Sequence, residues 1–144
     1  MHTVSDILVR KGASAVAVKP DTKVIDALLL MTDKNIGSIL VMDGGEYSGI
    51  VTERDCVRKI ILKSKPPAEI SVSEIMCTNL PSVLPSDTVE LCMKLMIEKN
   101  IRYLPVFENE LISGIISMSD VVMETILEKK ESKDHLEKYI HSDS

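Results

Sequence analysis

Two stretches of this chain place the same residue types at the same spacing, in a pattern that could do chemistry. The first is Gly49, Ile50, Val51, Thr52, Glu53, Arg54 and Asp55; the second is Gly114, Ile115, Ile116, Ser117, Met118, Ser119 and Asp120. Each reads as a glycine, two apolar residues, a hydroxyl, two variable residues and an aspartate. Two chemistries fit. At a strand-to-helix turn the pattern approximates a capping box, in which the hydroxyl accepts from a first-turn amide and the acid returns a bond and meets the positive helix end. The same features can hold a nucleotide. Unpaired helix amides hold a phosphate, and a carboxylate one turn in accepts from both hydroxyls of a ribose, each charge-assisted bond worth roughly 1.5–3 kcal/mol. The glycine lets a ligand approach the backbone. Arg54 favours the second chemistry, because a cation at a helix N-terminus opposes the dipole and needs another reason. Phosphate contact is one such reason; a salt bridge to Glu53 or Glu46 is another.

The elements that position these residues occur twice. Residues 20–62 align without a gap on residues 85–127, at a constant offset of 65. Pro20 falls on Pro85, Val24 on Val89, Met31 on Met96, Asn35 and Ile36 on Asn100 and Ile101, Val41 on Val106, Gly49 on Gly114 and Asp55 on Asp120. Self-similarity at a fixed period means one duplicated supersecondary unit. A unit of about 60 residues buries too little surface to be comfortable alone. The two copies are therefore expected to close on each other about a quasi-twofold axis, with two equivalent clefts. Each copy reads as strand, helix, strand, strand, helix, an α/β (α+β) unit. Residues 15–18 form the first strand, ended by Pro20, and Asp21 or Thr22 offers the helix N-cap. Val24, Ala27, Leu28 and Met31 follow at helical spacing. Residues 39–42 are an apolar strand, Asp43, Gly44 and Gly45 a hairpin turn, residues 49–51 the next strand, and residues 52–62 a helix. Pro105 in the second copy implies a strand edge or a bulge. The segment Val4, Ser5, Asp6 and Ile7 also matches Val72, Ser73, Glu74 and Ile75, at an offset of 68. Residues 3–62 thus form the first motif, 63–71 a proline-containing linker, 72–127 the second motif and 128–144 a charged tail. In that tail Leu136, Tyr139 and Ile140 make an apolar ridge, which either extends the last helix onto a partner or frays in solvent.

Composition narrows the function. The chain has 144 residues, 44% of them hydrophobic, with no Trp and a net charge of −5. That charge argues against nucleic acid or an anionic membrane as partner. No run approaches the ~18 apolar residues of a membrane span, and residues 1–6 lack the features of a secretory signal. A cytoplasmic protein is expected, or a trimmed organellar form. Three cysteines without a C-x-x-C pair indicate neither a disulfide framework nor a zinc site. Cys56 and Cys92 read as buried hydrophobes, Cys77 as the thiol open to solvent. His2, His135 and His141 make no ligand cluster, so no metal is expected. The sequence carries neither a phosphate-cradling glycine loop nor a His/Cys/Asp constellation, so no catalysis is expected.

At the paired G-h-h-T/S-x-x-D endings, each preceded by the strand at residues 35–41 or 100–106, the chain resembles the cystathionine β-synthase (CBS) domain family. The resemblance covers residues 3–127 and implies a CBS pair, or Bateman module. It further implies a non-catalytic regulatory role. The ligand would be an adenosine compound (AMP, ADP, ATP or NAD) held in the inter-motif clefts, with occupancy signalled to an effector protein and the chain paired as a homodimer. One implied site sets Ile50, Thr52, Arg54 and Asp55 against Leu80, Pro81, Ile101, Arg102 and Tyr103, with Arg102 as the phosphate-contacting base. The other sets Ile115, Ser117, Ser119 and Asp120 against Val16, Ile36, Gly37 and Ser38. The second site has Gly37 and Ser119 where the first has Arg102 and Arg54, so it offers fewer phosphate partners. A resemblance in layout to plant CBS pairs implies an alternative role, the regulation of a thioredoxin-type partner through Cys77 or the ridge at Leu136.

Overall fold

Val4–Lys11, legible in the sequence only as a lead-in, is a helix (α1) in the computed structural model of the chain, which describes residues 1–12 and 15–142 and side chains up to residue 138. The Asp6 carboxylate accepts from the Thr3 amide at 2.8 Å and starts it; Gly12, at φ 92°, ends it. Tyr139, Ile140 and His141, singled out in the sequence, have side chains outside the described residues.

The order that follows is β1 (Ala17–Val18), α2 (Val24–Lys34), β2 (Ser38–Asp43), β3 (Glu46–Thr52) and α3 (Glu53–Cys56). Helix α3 continues as a π-helical turn over Val57–Ile61, and a 3₁₀ turn lies at Val72–Glu74. The second copy gives α4 (Val89–Lys99), β4 (Tyr103–Glu108), β5 (Leu111–Ser117) and α5 (Met118–Ser142). Strand β1 pairs parallel with β2, and β2 pairs antiparallel with β3. In the second copy β4 and β5 make a two-stranded sheet. The expected first strand of that copy is reduced to one parallel bridge, Val83 to Val106, because Pro81 and Pro85 flank it and lack N–H donors. Pro105 fits its position. Its carbonyl accepts from Val83 and the next bond is Phe107 N–H to the Val83 carbonyl, so the donor it lacks falls on the sheet edge.

Asn35 and Asn100 end α2 and α4 in the same left-handed conformation, φ 53° and ψ 48°, which asparagine tolerates better than most residues. Both hairpins turn on two residues of positive φ, Gly44 and Gly45 in one and Asn109 and Glu110 in the other, the geometry that matches strand twist. The N-cap of α2 is neither Asp21 nor Thr22 but Lys23, whose side chain caps nothing. Backbone carbonyls replace a side-chain cap there: the amides of Val24 and Ile25 donate to Ile70 and Pro67 at 2.8 and 3.0 Å. In α4 the Thr88 hydroxyl does this work, accepting from Leu91 at 3.1 Å.

The chain divides into two compact units, each mixing parts of both copies. One contains Met1–Ala13, Pro81–Glu108 and Gly114–Ser144; the other contains Ser14–Leu80 and Asn109–Ser113. The cores use equivalent positions. Val24, Ala27, Met31, Ile39, Val41, Val51 and Cys56 are buried in one, and Val89, Cys92, Met96, Leu104, Val106, Ile116 and Val121 in the other. The lead-ins are exchanged: Val4 and Ile7 complete the core of the second copy, Val72 and Ile75 that of the first. The charged tail continues α5 as helix, with Leu136 exposed on it.

Candidate functional site

Strand pairing builds the same arrangement in each unit. In the first copy Ser38 lies opposite Thr52 across β2 and β3, and the Glu53 amide donates to the Gly37 carbonyl at 3.1 Å. Gly37, Ser38, Thr52, Arg54 and Asp55 are thereby gathered at one end of the sheet. In the second copy the Met118 amide donates to the Arg102 carbonyl at 2.8 Å, which gathers Arg102, Ser117 and Asp120. The resemblance allots Gly37 and Ser38 to the site of Asp120, and Arg102 to that of Asp55. Within the units each lies beside the acid of its own motif. Val16 lies on the other edge of β2, its carbonyl accepting from Leu40 at 3.0 Å. Ile50 and Ile115 are buried strand residues, Ile36 and Ile101 are half-buried just past Asn35 and Asn100, and Tyr103 opens β4. Leu80 and Pro81 are half-buried in the segment before Val83, and Ser119 is exposed in the first turn of α5.

The two acids are in different states. Thr52 Oγ1 accepts from the Asp55 amide at 3.0 Å, so the hydroxyl half of the cap is formed. The return bond is not: among the described residues the Asp55 carboxylate accepts no hydrogen bond, and its nearest cation is Lys59 Nζ at 3.6 Å. Asp55 nevertheless keeps only 22% of its side-chain surface in solvent. At Asp120 the box closes. Ser117 Oγ accepts from the Asp120 amide at 3.1 Å, and the Ser117 amide donates to Asp120 Oδ2 at 2.8 Å. Lys11 Nζ reaches the same oxygen at 2.8 Å while also donating to the Ile115 carbonyl at 2.8 Å. Burial pushes the Asp120 carboxyl up, but Lys11 and the Ser117 amide outweigh it and hold its pKa below the usual value. The capping chemistry is therefore complete in the second copy and half made in the first.

Arg54 is half-buried and, among the described residues, has no ion-pair partner; neither Glu53 nor Glu46 engages it. Arg102 is exposed. Burial pushes the thiols of Cys56 and Cys92 up to about 11, which leaves them inert at neutral pH. Cys77 is half-exposed, and its thiol donates to Asn79 Oδ1 at 3.2 Å. No group of three or more His, Cys, Asp or Glu among the described residues is placed to hold a metal ion, and no described helix is long and apolar enough to cross a membrane. Sequence reasoning missed Lys11. Its one signal is the offset of 68, which makes Arg10 and Lys11 the counterparts of Thr78 and Asn79.

Comparison with known proteins gives a consistent result. The CBS domain family profile matches residues 4–62 and 72–126. The CBS domain-containing protein CBSX3, mitochondrial, of Arabidopsis thaliana is 35% identical over 147 residues, covering 96% of this chain and 71% of the relative. A solved protein with CBS domains from Burkholderia ambifaria superposes with a TM-score of 0.83 at 39% identity, covering 88% of this chain and 95% of that one. The hexameric CBS-CP12 protein from bloom-forming cyanobacteria superposes with a TM-score of 0.75 at 31% identity, over 84% of this chain and 66% of that one.

Proposed function

We propose a function from one premise: the chain belongs to the CBS domain family. It is a regulatory module without catalytic activity of its own, and its ligand carries adenosine, as AMP, ADP, ATP or NAD. The observation that carries this reading is the state of Asp55. Its carboxylate is largely withdrawn from water yet accepts no hydrogen bond among the described residues. A half-buried carboxylate with free lone pairs suits two neighbouring hydroxyls. Arg54 beside it, without an ion-pair partner among the described residues, supplies the cation a phosphate requires. Leu80, Pro81, Ile101, Arg102 and Tyr103 at the first acid, and Val16, Ile36, Gly37 and Ser38 at the second, are the further contacts implied by the family.

Occupancy is passed to an effector protein through the outer surface. The last helix of each copy carries equivalent exposed apolar residues, Val57 and Ile61 on one and Val122 and Ile126 on the other. Such faces favour self-association, and the cyanobacterial CBS-CP12 protein is itself hexameric. A homodimer is the assembly proposed here. Thermal denaturation against AMP, ADP, ATP, NAD and the guanine nucleotides tests the reading. At a ligand concentration ~100 times Kd the adenine compound bound should raise apparent stability by ~2.7 kcal/mol. Equal stabilisation by guanine nucleotides would contradict the adenosine assignment, and turnover of ATP or NAD by pure protein would contradict the non-catalytic one.

A further inference from the structure

The duplication supplies an internal control for every contact at the two acids. In the second unit α1 ends against the strand that leads to Asp120. Lys11 Nζ bonds the Ile115 carbonyl and Asp120 Oδ2, both at 2.8 Å, and Arg10 Nη2 donates to the Asp120 carbonyl at 3.3 Å. In the first unit the other lead-in runs along the counterpart strand. Cys77 exchanges two backbone bonds with Ile50, the equivalent of Ile115, at 3.0 and 2.8 Å. Here the residues at the places of Arg10 and Lys11 are Thr78 and Asn79. Asn79 brings a neutral amide, which turns to the Cys77 thiol at 3.2 Å, and among the described residues it makes no bond to Asp55. Among the described residues Asp55 makes one ion pair, with Lys59 at 3.6 Å and outside hydrogen-bond range. At these two places one lead-in delivers the cations Arg10 and Lys11, and the other delivers neutral side chains.

We infer that Lys11 is a built-in occupant of the second acid: its ammonium holds the carboxylate that would otherwise accept a ribose diol, so that the chain takes one adenosine ligand, at Asp55. This rests on the nucleotide reading above. Three bonds oppose release of the acid. The capping bond from Ser117 and the lysine bond both use Oδ2, and the same ammonium is tied to a backbone carbonyl. A neutral diol cannot match a cation at 2.8 Å from a carboxylate that keeps 17% of its side-chain surface in solvent, although Lys11 itself keeps 40%. Lys11 is therefore a positioning residue that sets how many ligands the module reads.

Calorimetric titration of the full chain with ATP, and separately with AMP, decides the matter. Wild type should bind one equivalent. Lys11→Met should bind two, Lys11→Arg one, and Lys11→Met combined with Asp120→Ala one again, each variant first shown to be folded by circular dichroism. Two equivalents in wild type, or one in folded Lys11→Met, would overturn the inference while leaving the nucleotide reading intact. No binding by any chain would sink the nucleotide reading and this inference with it. Reductive methylation of the wild-type protein covers the case in which Lys11→Met does not fold. Lys11 should be methylated more slowly than exposed Lys63, at a rate unchanged by saturating ATP. Faster labelling with ATP would mean that the ligand displaces the lysine, and slower labelling that Lys11 grips the phosphate; either result overturns the inference.

Discussion

His2 shows how single side chains hold distant segments together in this protein. Its Nδ1 lies 3.1 Å from Glu124 Oε2 and its Nε2 2.7 Å from Glu131 Oε2, both on α5. Glu124 is 3% exposed and also pairs with Arg10 at 3.4 Å. These carboxylates, Glu124 foremost, raise the His2 pKa above its ordinary 6.5. A raised pKa means the folded state binds the proton more tightly, so this stabilisation is fully present below pH 6.5 and disappears as pH rises through the folded-state value. In urea melts across pH 5.5–8.5, wild type should exceed His2→Gln most at the acid end, and the gap should close with rising pH. A gap that widens with pH would contradict the clasp. The sequence revealed none of this, because each carboxylate partner of His2 lies more than a hundred residues away. The buried thiols were legible: Cys92 falls on Ala27 at helical spacing, and both positions are fully buried.

At the scale of elements, two segments of chain approach each other tightly at Gly49 in β3. A Cβ there would lie 2.8 Å from the Cys77 carbonyl oxygen, a backbone atom held by the bridge to Ile50. At the equivalent Gly114 it would meet only the tip of Leu8, at 3.4 Å. Gly49→Ala should therefore cost about 1–3 kcal/mol, the usual cost of overpacking, whereas Gly114→Ala should change stability little; equilibrium urea denaturation separates them. Equal effects would mean that the exchanged segment does not pin β3. The element order of each copy was readable because periodicity and turn residues are local. The left-handed asparagines and the two-residue hairpins follow from single residue types. The helix cap at Lys23 was not readable, since its acceptors, Ile70 and Pro67, come from the linker. Nor was α1, whose apolar residues match only a 3₁₀ turn in the other copy.

For the whole molecule, duplication explains two cores built from equivalent residues, and the exchanged lead-ins explain why neither unit is a continuous stretch of chain. Deleting residues 1–11 removes Val4 and Ile7 from the core that holds Met96. Hydrogen exchange should then lose protection over residues 89–121 first and keep it over residues 24–60; the reverse order would contradict the assignment of lead-ins to cores. The candidate site was half legible at this scale. The paired acids followed from the repeat, as did the poorer set of phosphate partners expected at the second; the closed state of Asp120 did not, because the cation that closes it arrives from outside the aligned 43 residues. The Asp55 carboxylate, which accepts no hydrogen bond among the described residues, remains the basis of the functional reading. Thermal denaturation of wild type, Asp55→Ala and Asp120→Ala in a saturating adenine nucleotide tests it most directly. Asp55→Ala should lose most of the ligand-induced gain, and Asp120→Ala should melt lower without ligand yet keep its gain. An Asp55→Ala protein that responds as strongly as its parent would contradict the account.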